Sequence, residues 1–164
     1  HQTTDQINFG TYTTPNRNQP IDFTTLQNIR QCAAGKPLYK LSGNQVLSLN
    51  LDAATLAGLF PNETTIPGTP RQFYLNAAGQ VTFKVYSNIL TSDNYCTDNT
   101  GAVAESWSSQ VGVDAISGLI EVETTSVGAN YIHTIHFRKV IFENPDGLTF
   151  TFGNDYEFGD FITN

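Results

Sequence analysis

Short runs of two-residue alternation, each closed by a turn-forming cluster, recur from Leu38 to the end of the chain and leave room for almost no helix. Successive side chains of a strand point to opposite faces, so this pattern marks ribbons with one face buried and one face wet. Leu38-Tyr39-Lys40-Leu41, the turn Ser42-Gly43-Asn44, and Gln45 to Leu51 with Leu47, Leu49 and Leu51 on one face predict a hairpin. Arg71 to Asn76 and Gln80 to Tyr86 flank Ala77-Ala78-Gly79 and predict a second one. From Gly118 to Thr125 the alternation resumes, Ile120 and Val122 facing one way, Glu121 and Glu123 the other. Tyr131 to Glu143, the turn Asn144-Pro145-Asp146-Gly147, Leu148 to Phe152, the turn Gly153-Asn154, and Tyr156 to Ile162 predict a three-stranded meander.

Two stretches break the pattern. Ala53 to Phe60, with Asp52 as N-cap and Pro61 just past its end, predicts one short connecting helix. Asn88 to Ser109 has no sustained period and is rich in Asp, Asn and Ser, which predicts a long surface loop tied down at Cys96. Together these elements predict an all-β fold, a two-sheet β-sandwich of roughly eight to nine antiparallel strands, in preference to a closed barrel. With 164 residues the chain can bury a real core without a metal or a disulfide lattice. Residues 1–20 divide off as an N-terminal strand arm and linker, and 21–164 as a single domain.

Charged residues make up only 14% of the chain, and Thr, Asn, Gly and Ser take the places that Lys and Glu usually fill. That surface suits an extracellular or cell-surface protein. A net charge of -7, with eight Lys and Arg scattered along the chain, argues against nucleic acid, which needs a basic stripe. No apolar run approaches the roughly 20 residues that span a bilayer. The sequence starts at His1, which reads as a processed mature form or a trimmed terminus. Cys32 and Cys96 lack the close spacing of redox or zinc pairs, and their natural reading is a structural disulfide. Such a bond closes a loop of about 65 residues and contributes up to roughly 4 kcal/mol. The alternative is two separate buried thiols.

The two ends of the chain are alike. Asn8-Phe9-Gly10-Thr11-Tyr12-Thr13-Thr14 and Glu157-Phe158-Gly159-Asp160-Phe161-Ile162-Thr163 share the order polar, Phe, Gly, polar, aromatic, and end on Thr. Chance is one rival explanation of so short a match; a first strand that belongs to an upstream copy of the same domain, and pairing of that strand within its own domain, are the others. These bracketing strands, with Leu38-Tyr39-Lys40-Leu41-Ser42-Gly43-Asn44 and Leu59-Phe60-Pro61-Asn62-Glu63-Thr64, resemble uncharacterised secreted or lipoprotein-type domains of Bacteroidota. The resemblance implies an exported, surface-associated setting and carries no catalytic or binding residue.

Candidate chemistry is sparse. An N-terminal His1 can chelate copper through its amine and ring, with a second histidine completing a brace. His133 and His136, three apart on a strand, point to opposite faces, so at most one can join it. Glu121 and Glu123 have the spacing of a glycosidase pair, but a half-buried strand with an acidic solvent side explains them more simply. Asp93, Asn94, Asp98 and Asn99 crowd one loop, and Asn154, Asp155, Glu157 and Asp160 another, offering calcium hard oxygens without the EF-hand spacing. Solvated turns are the simpler account. Trp107 is either core or a sugar-stacking platform on the long loop. Asn62-Glu63-Thr64 is a glycosylation sequon of a kind frequent by chance. No nucleophile elbow, reactive-thiol setting or phosphate-cradling loop is present, so no enzyme and no cofactor is expected.

The expectation is an extracellular structural or adhesive module, a pilus-like filament subunit whose N-terminal strand, carried by Ile7, Phe9, Gly10 and Tyr12, pairs with another copy. A secreted glycan-binding module and a histidine-brace copper protein using His1 are the alternatives.

Overall fold

The computed structural model describes residues 29–113 and 116–164. In chain order its strands are β1 (Arg30–Gln31), β2 (Leu38–Ser42), β3 (Gln45–Leu49), β4 (Arg71–Tyr74), β5 (Val81–Tyr86) and β6 (Val103–Ser109). The later strands are β7 (Leu119–Val127), β8 (Asn130–Arg138), β9 (Ile141–Glu143), β10 (Thr149–Thr151) and β11 (Asp155–Thr163). Helices α1 (Ala53–Leu59) and α2 (Ser92–Cys96) complete it. All pairings are antiparallel, in a seven-stranded sheet ordered β1-β2-β3-β5-β6-β9-β10 and a four-stranded sheet ordered β11-β8-β7-β4. The fold is an all-β sandwich, as the alternation predicts, with more and shorter strands than expected and a second helix. The expected arm and linker, residues 1–20, lie outside the described residues.

The β2–β3 hairpin forms as predicted, on a two-residue turn in which Gly43 takes φ 60. The second expected hairpin does not. β4 pairs with β7 in the smaller sheet, whereas β5 pairs with β3 and β6 in the larger one. Alternation tells which side of a strand is buried, and both strands bury a side against the same core, so it cannot tell which sheet each joins. Between them the Leu75 backbone bonds to Gly118 and Gly112, and Gln80 Oε1 accepts from Asn76 and Ala77 N–H, which carries the chain across the sandwich.

The expected meander also divides. β8 ends at Arg138, Lys139 takes φ 49, and β9 emerges in the other sheet beside β6 and β10. The chain returns to the smaller sheet at Gly153-Asn154, and Lys139 N–H donates to the Asn154 carbonyl, which joins the two corners. The expected loop at 88–109 holds α2 and all of β6. β6 is missed because its core-facing side includes Ser109, whose Oγ accepts from Val81 N–H, so the hydrophobic signal of the strand rests on Trp107.

Leu47, Leu49, Phe83, Trp107 and Phe142 of the larger sheet meet Ile120, Val122, Ile135, Phe137 and Phe158 of the smaller one in one core. Full burial of each such side chain is worth about 1.5–3 kcal/mol over leaving it exposed. A second, smaller cluster of Tyr39, Leu41, Val46, Tyr86 and Leu90 lies apart, with Tyr95 of α2 packed against it. Thr91 caps α2 by accepting from Asn94 N–H, which sets Cys96 against Cys32 with the sulfurs 2.02 Å apart. The expected disulfide forms.

Candidate functional site

β11 is the outermost strand of the smaller sheet. It pairs with β8 on one side, and no strand pairs with its other side among the described residues. Its register breaks once: Glu157 faces His136 and Gly159 faces Ile135, so Phe158 is the extra residue of a β-bulge. Gly159 takes φ 120, a conformation that L side chains rarely adopt. A Cβ there would also meet Lys40 Cε and Nζ at 3.4 Å. The bulge lets Phe158 and Phe161 both turn inward, Phe158 stacked on Phe137 at 4.7 Å and Phe161 edge-on to Phe60 at 5.6 Å.

The solvent side of this sheet is a ladder of polar groups. Glu121 accepts from Gln72 Nε2 at 2.9 Å and from Arg138 Nε at 2.5 Å. Arg138 also pairs with Asp155, whose Oδ1 lies 2.8 Å from His136 Nδ1, and Thr134 donates to Asp160 at 2.7 Å. The His136 hydrogen bond and the Arg138 charge hold the Asp155 carboxyl below the usual carboxylate range. Glu121 and Glu123 thus occupy the side that alternation gave them. Lys40 points inward from β2 near Phe158; burial lowers the pKa of its ammonium group, while Glu157 and Asp160 act in the opposite direction.

The inward side carries a buried polar relay. His133, with no exposed surface, has Nδ1 2.8 Å from Thr124 Oγ1 and Nε2 3.0 Å from Thr163 Oγ1. Thr163 donates its one hydroxyl proton to Asn62 Oδ1, so Nε2–H must be the donor to Thr163. Nδ1 then accepts the proton of Thr124, whose oxygen also accepts from Arg71 Nη1. Asn62 Nδ2 continues to the main-chain oxygen of Asn164 and Arg71 Nη2 to the carbonyl of Glu63. Every group in the chain is satisfied with the ring neutral. Burial, and then the Arg71 charge, push the His133 pKa down to about 4.

His133 and His136 stand on opposite faces of β8, as strand geometry requires. Among the described residues no group of three or more His, Cys, Asp or Glu is arranged to hold a metal ion. Three of the acidic calcium candidates sit as follows. Asp93 lies in the first turn of α2 with its carbonyl engaged by Thr97, Asp98 follows that helix at φ 57, and Asp155 is taken by His136 and Arg138. Trp107 is a core residue, edge-on to Phe150 at 4.9 Å, and offers no exposed platform. His1, Ile7, Phe9, Gly10 and Tyr12 lie outside the described residues. No helix among the described residues is long and apolar enough to cross a membrane.

Two shallow surface depressions lie among the described residues. One of about 180 Å³ lies between Tyr74, Leu119, Arg138 and Asn154, and one of about 360 Å³ between Ser106, Gln110, Glu143 and Pro145. The bulge and the His133 relay escape prediction from sequence. The Phe-Gly-x-aromatic spacing is the signal for the first, and three scattered Thr and Asn residues leave none for the second. Compared with known proteins, the chain matches no family model, no curated protein and no solved structure.

Proposed function

We propose that the chain is an extracellular structural and adhesive surface module that assembles with copies of itself. The strand-forming segment around Ile7, Phe9, Gly10 and Tyr12 of one copy pairs along the β11 edge of the next. The observation that carries this reading is the edge: a nine-residue strand, partnered on one side only among the described residues, with unbroken register from Gly159 to Thr163. An open edge presents unpaired main-chain donors and acceptors, which an added strand satisfies. The bulge and the charges of Glu157 and Asp160 discourage indiscriminate pairing and favour one register.

The likeness of the two chain ends supports the same reading. In β11 the Phe-Gly-x-aromatic order sets two rings three residues apart on one face, and Phe9-Gly10-Thr11-Tyr12 has the same order. Head-to-tail pairing of this kind is heterologous and extends into a filament where its rotation does not close. The disulfide and the Thr- and Asn-rich surface support an oxidising, extracellular setting. Deleting residues 1–14 tests the reading by solution mass: the full chain forms assemblies, and the deleted chain is folded and monomeric. A full-length chain that is monomeric at high concentration, or assembly unchanged by the deletion, overturns it.

A further inference from the structure

We propose that His133 is an acid-sensitive latch on the C-terminal end of β11, so that strand pairing along this edge is firmest at neutral pH and weakens in acid. The latch is a property of the folded chain; its effect on assembly rests on the edge-pairing reading above. Thr163, the last residue of β11, is held from two directions, by the His133 ring on β8 and by Asn62 in the segment after α1. Asn62 holds Asn164 as well. One imidazole therefore fastens the end of the edge strand to its own sheet and, through Thr163, to the 62–65 segment. That segment is fastened in turn to β7, where Thr65 N–H and Oγ1 meet the Thr124 backbone.

The relay works in one protonation state. A proton added at Nδ1 turns that nitrogen into a donor, and the hydroxyl proton of Thr124 loses its acceptor in a site without exposed surface. From β4, Arg71 sets a second positive charge against the same hydroxyl, and among the described residues no Asp or Glu side chain acts on the ring to offset it. On β7 and β11 the neighbouring Glu123 and Asp160 lie on the outer face, and Glu63 contributes its carbonyl to Arg71. Phe60 and Phe161 close the remaining sides with rings at 5.4 and 6.3 Å. Opening this end lets the ring take its proton in water.

With the ring at about 4 when latched and at its ordinary value when released, the released form gains about 30-fold between pH 7.5 and pH 5. Amide hydrogen exchange at those positions from Phe161 to Thr163 whose N–H bonds to β8, corrected for its intrinsic pH dependence, reads this gain directly. Wild type accelerates about 30-fold, whereas His133→Gln, whose amide accepts from Thr124 and donates to Thr163 without titrating, stays within about threefold. Equal acceleration in both chains, or none in wild type, overturns the latch. If His133→Gln does not fold, NMR titration of the wild-type ring decides: a pKa in the ordinary range, with unchanged exchange, refutes it. The two readings fail separately. Exchange at β11 reports the latch even in a monomer, while mass at pH 7.5 reports the pairing even if acid leaves the strand end shut.

Discussion

Phe158 and Phe161 are separated by an odd number of positions and yet face the same core, because Phe158 and Gly159 together oppose the single residue Ile135. A regular strand would send one of the two rings into solvent. The bulge therefore sets how the outer strand of the smaller sheet is anchored, and Gly159 is the residue that permits it.

Gly159→Ala is expected to destabilise the fold by about 1–3 kcal/mol, since φ 120 is open to glycine and strained for alanine. The Lys40 side chain, which the new Cβ would meet, is flexible enough to yield, so backbone strain dominates. Chemical denaturation measures the loss, and an unchanged midpoint would contradict the bulge.

Reduction of Cys32–Cys96 should lower stability by up to roughly 4 kcal/mol, because the bond closes a sequence separation of 64 residues. It also ties α2 down beside β2, where the Tyr95 ring lies 4.5 Å from that of Tyr39. Denaturation with and without reductant gives the difference, and non-reducing mass analysis that finds two free thiols in native protein would refute the pairing.

Stability should fall as the solution is acidified from pH 6.5 towards 4. The His133 pKa is lowered on folding, so across that window the unfolded chain binds a proton that the native chain does not. The penalty is absent above the unfolded pKa and grows to roughly 2 kcal/mol at pH 5. Asp155, held below the carboxylate range, adds its own loss only at more acidic pH. Unfolding free energies across the range should show the slope in wild type and lose it in His133→Gln; a flat wild-type profile speaks against a buried neutral ring.

Local elements were the legible part of this fold. The β2–β3 hairpin and the two faces of β7 are written in residues a few positions apart, with Gly43 marking the turn. Sheet membership is not local: β4 and β5 look like hairpin partners, and only the packing of Leu75 between Gly112 and Gly118 shows that the chain crosses over. The break at Lys139 has no glycine or proline to announce it. The disulfide was legible from composition and spacing, whereas the relay joins Arg71, Thr124, His133, Thr163 and Asn62 from five separate segments and is assembled only by the fold.

Arg138→Ala is expected to cost less than about 1 kcal/mol, although the side chain bridges Glu121 and Asp155, because half-exposed ion pairs contribute little in water. Thermal melting in low and high salt measures this. A loss of several kcal/mol would mean that the outer face of the smaller sheet is covered by another part of the chain or by a partner.

The edge-pairing account is tested most directly by offering the edge its strand. A peptide of residues 6–14, titrated into 15N-labelled chain lacking residues 1–14, is expected to shift the amides of β11 saturably, most strongly from Gly159 to Thr163, and to lose this effect when Phe9 and Tyr12 are both replaced by Ser. Shifts confined to other strands, or none at millimolar peptide with the domain folded, would contradict the account.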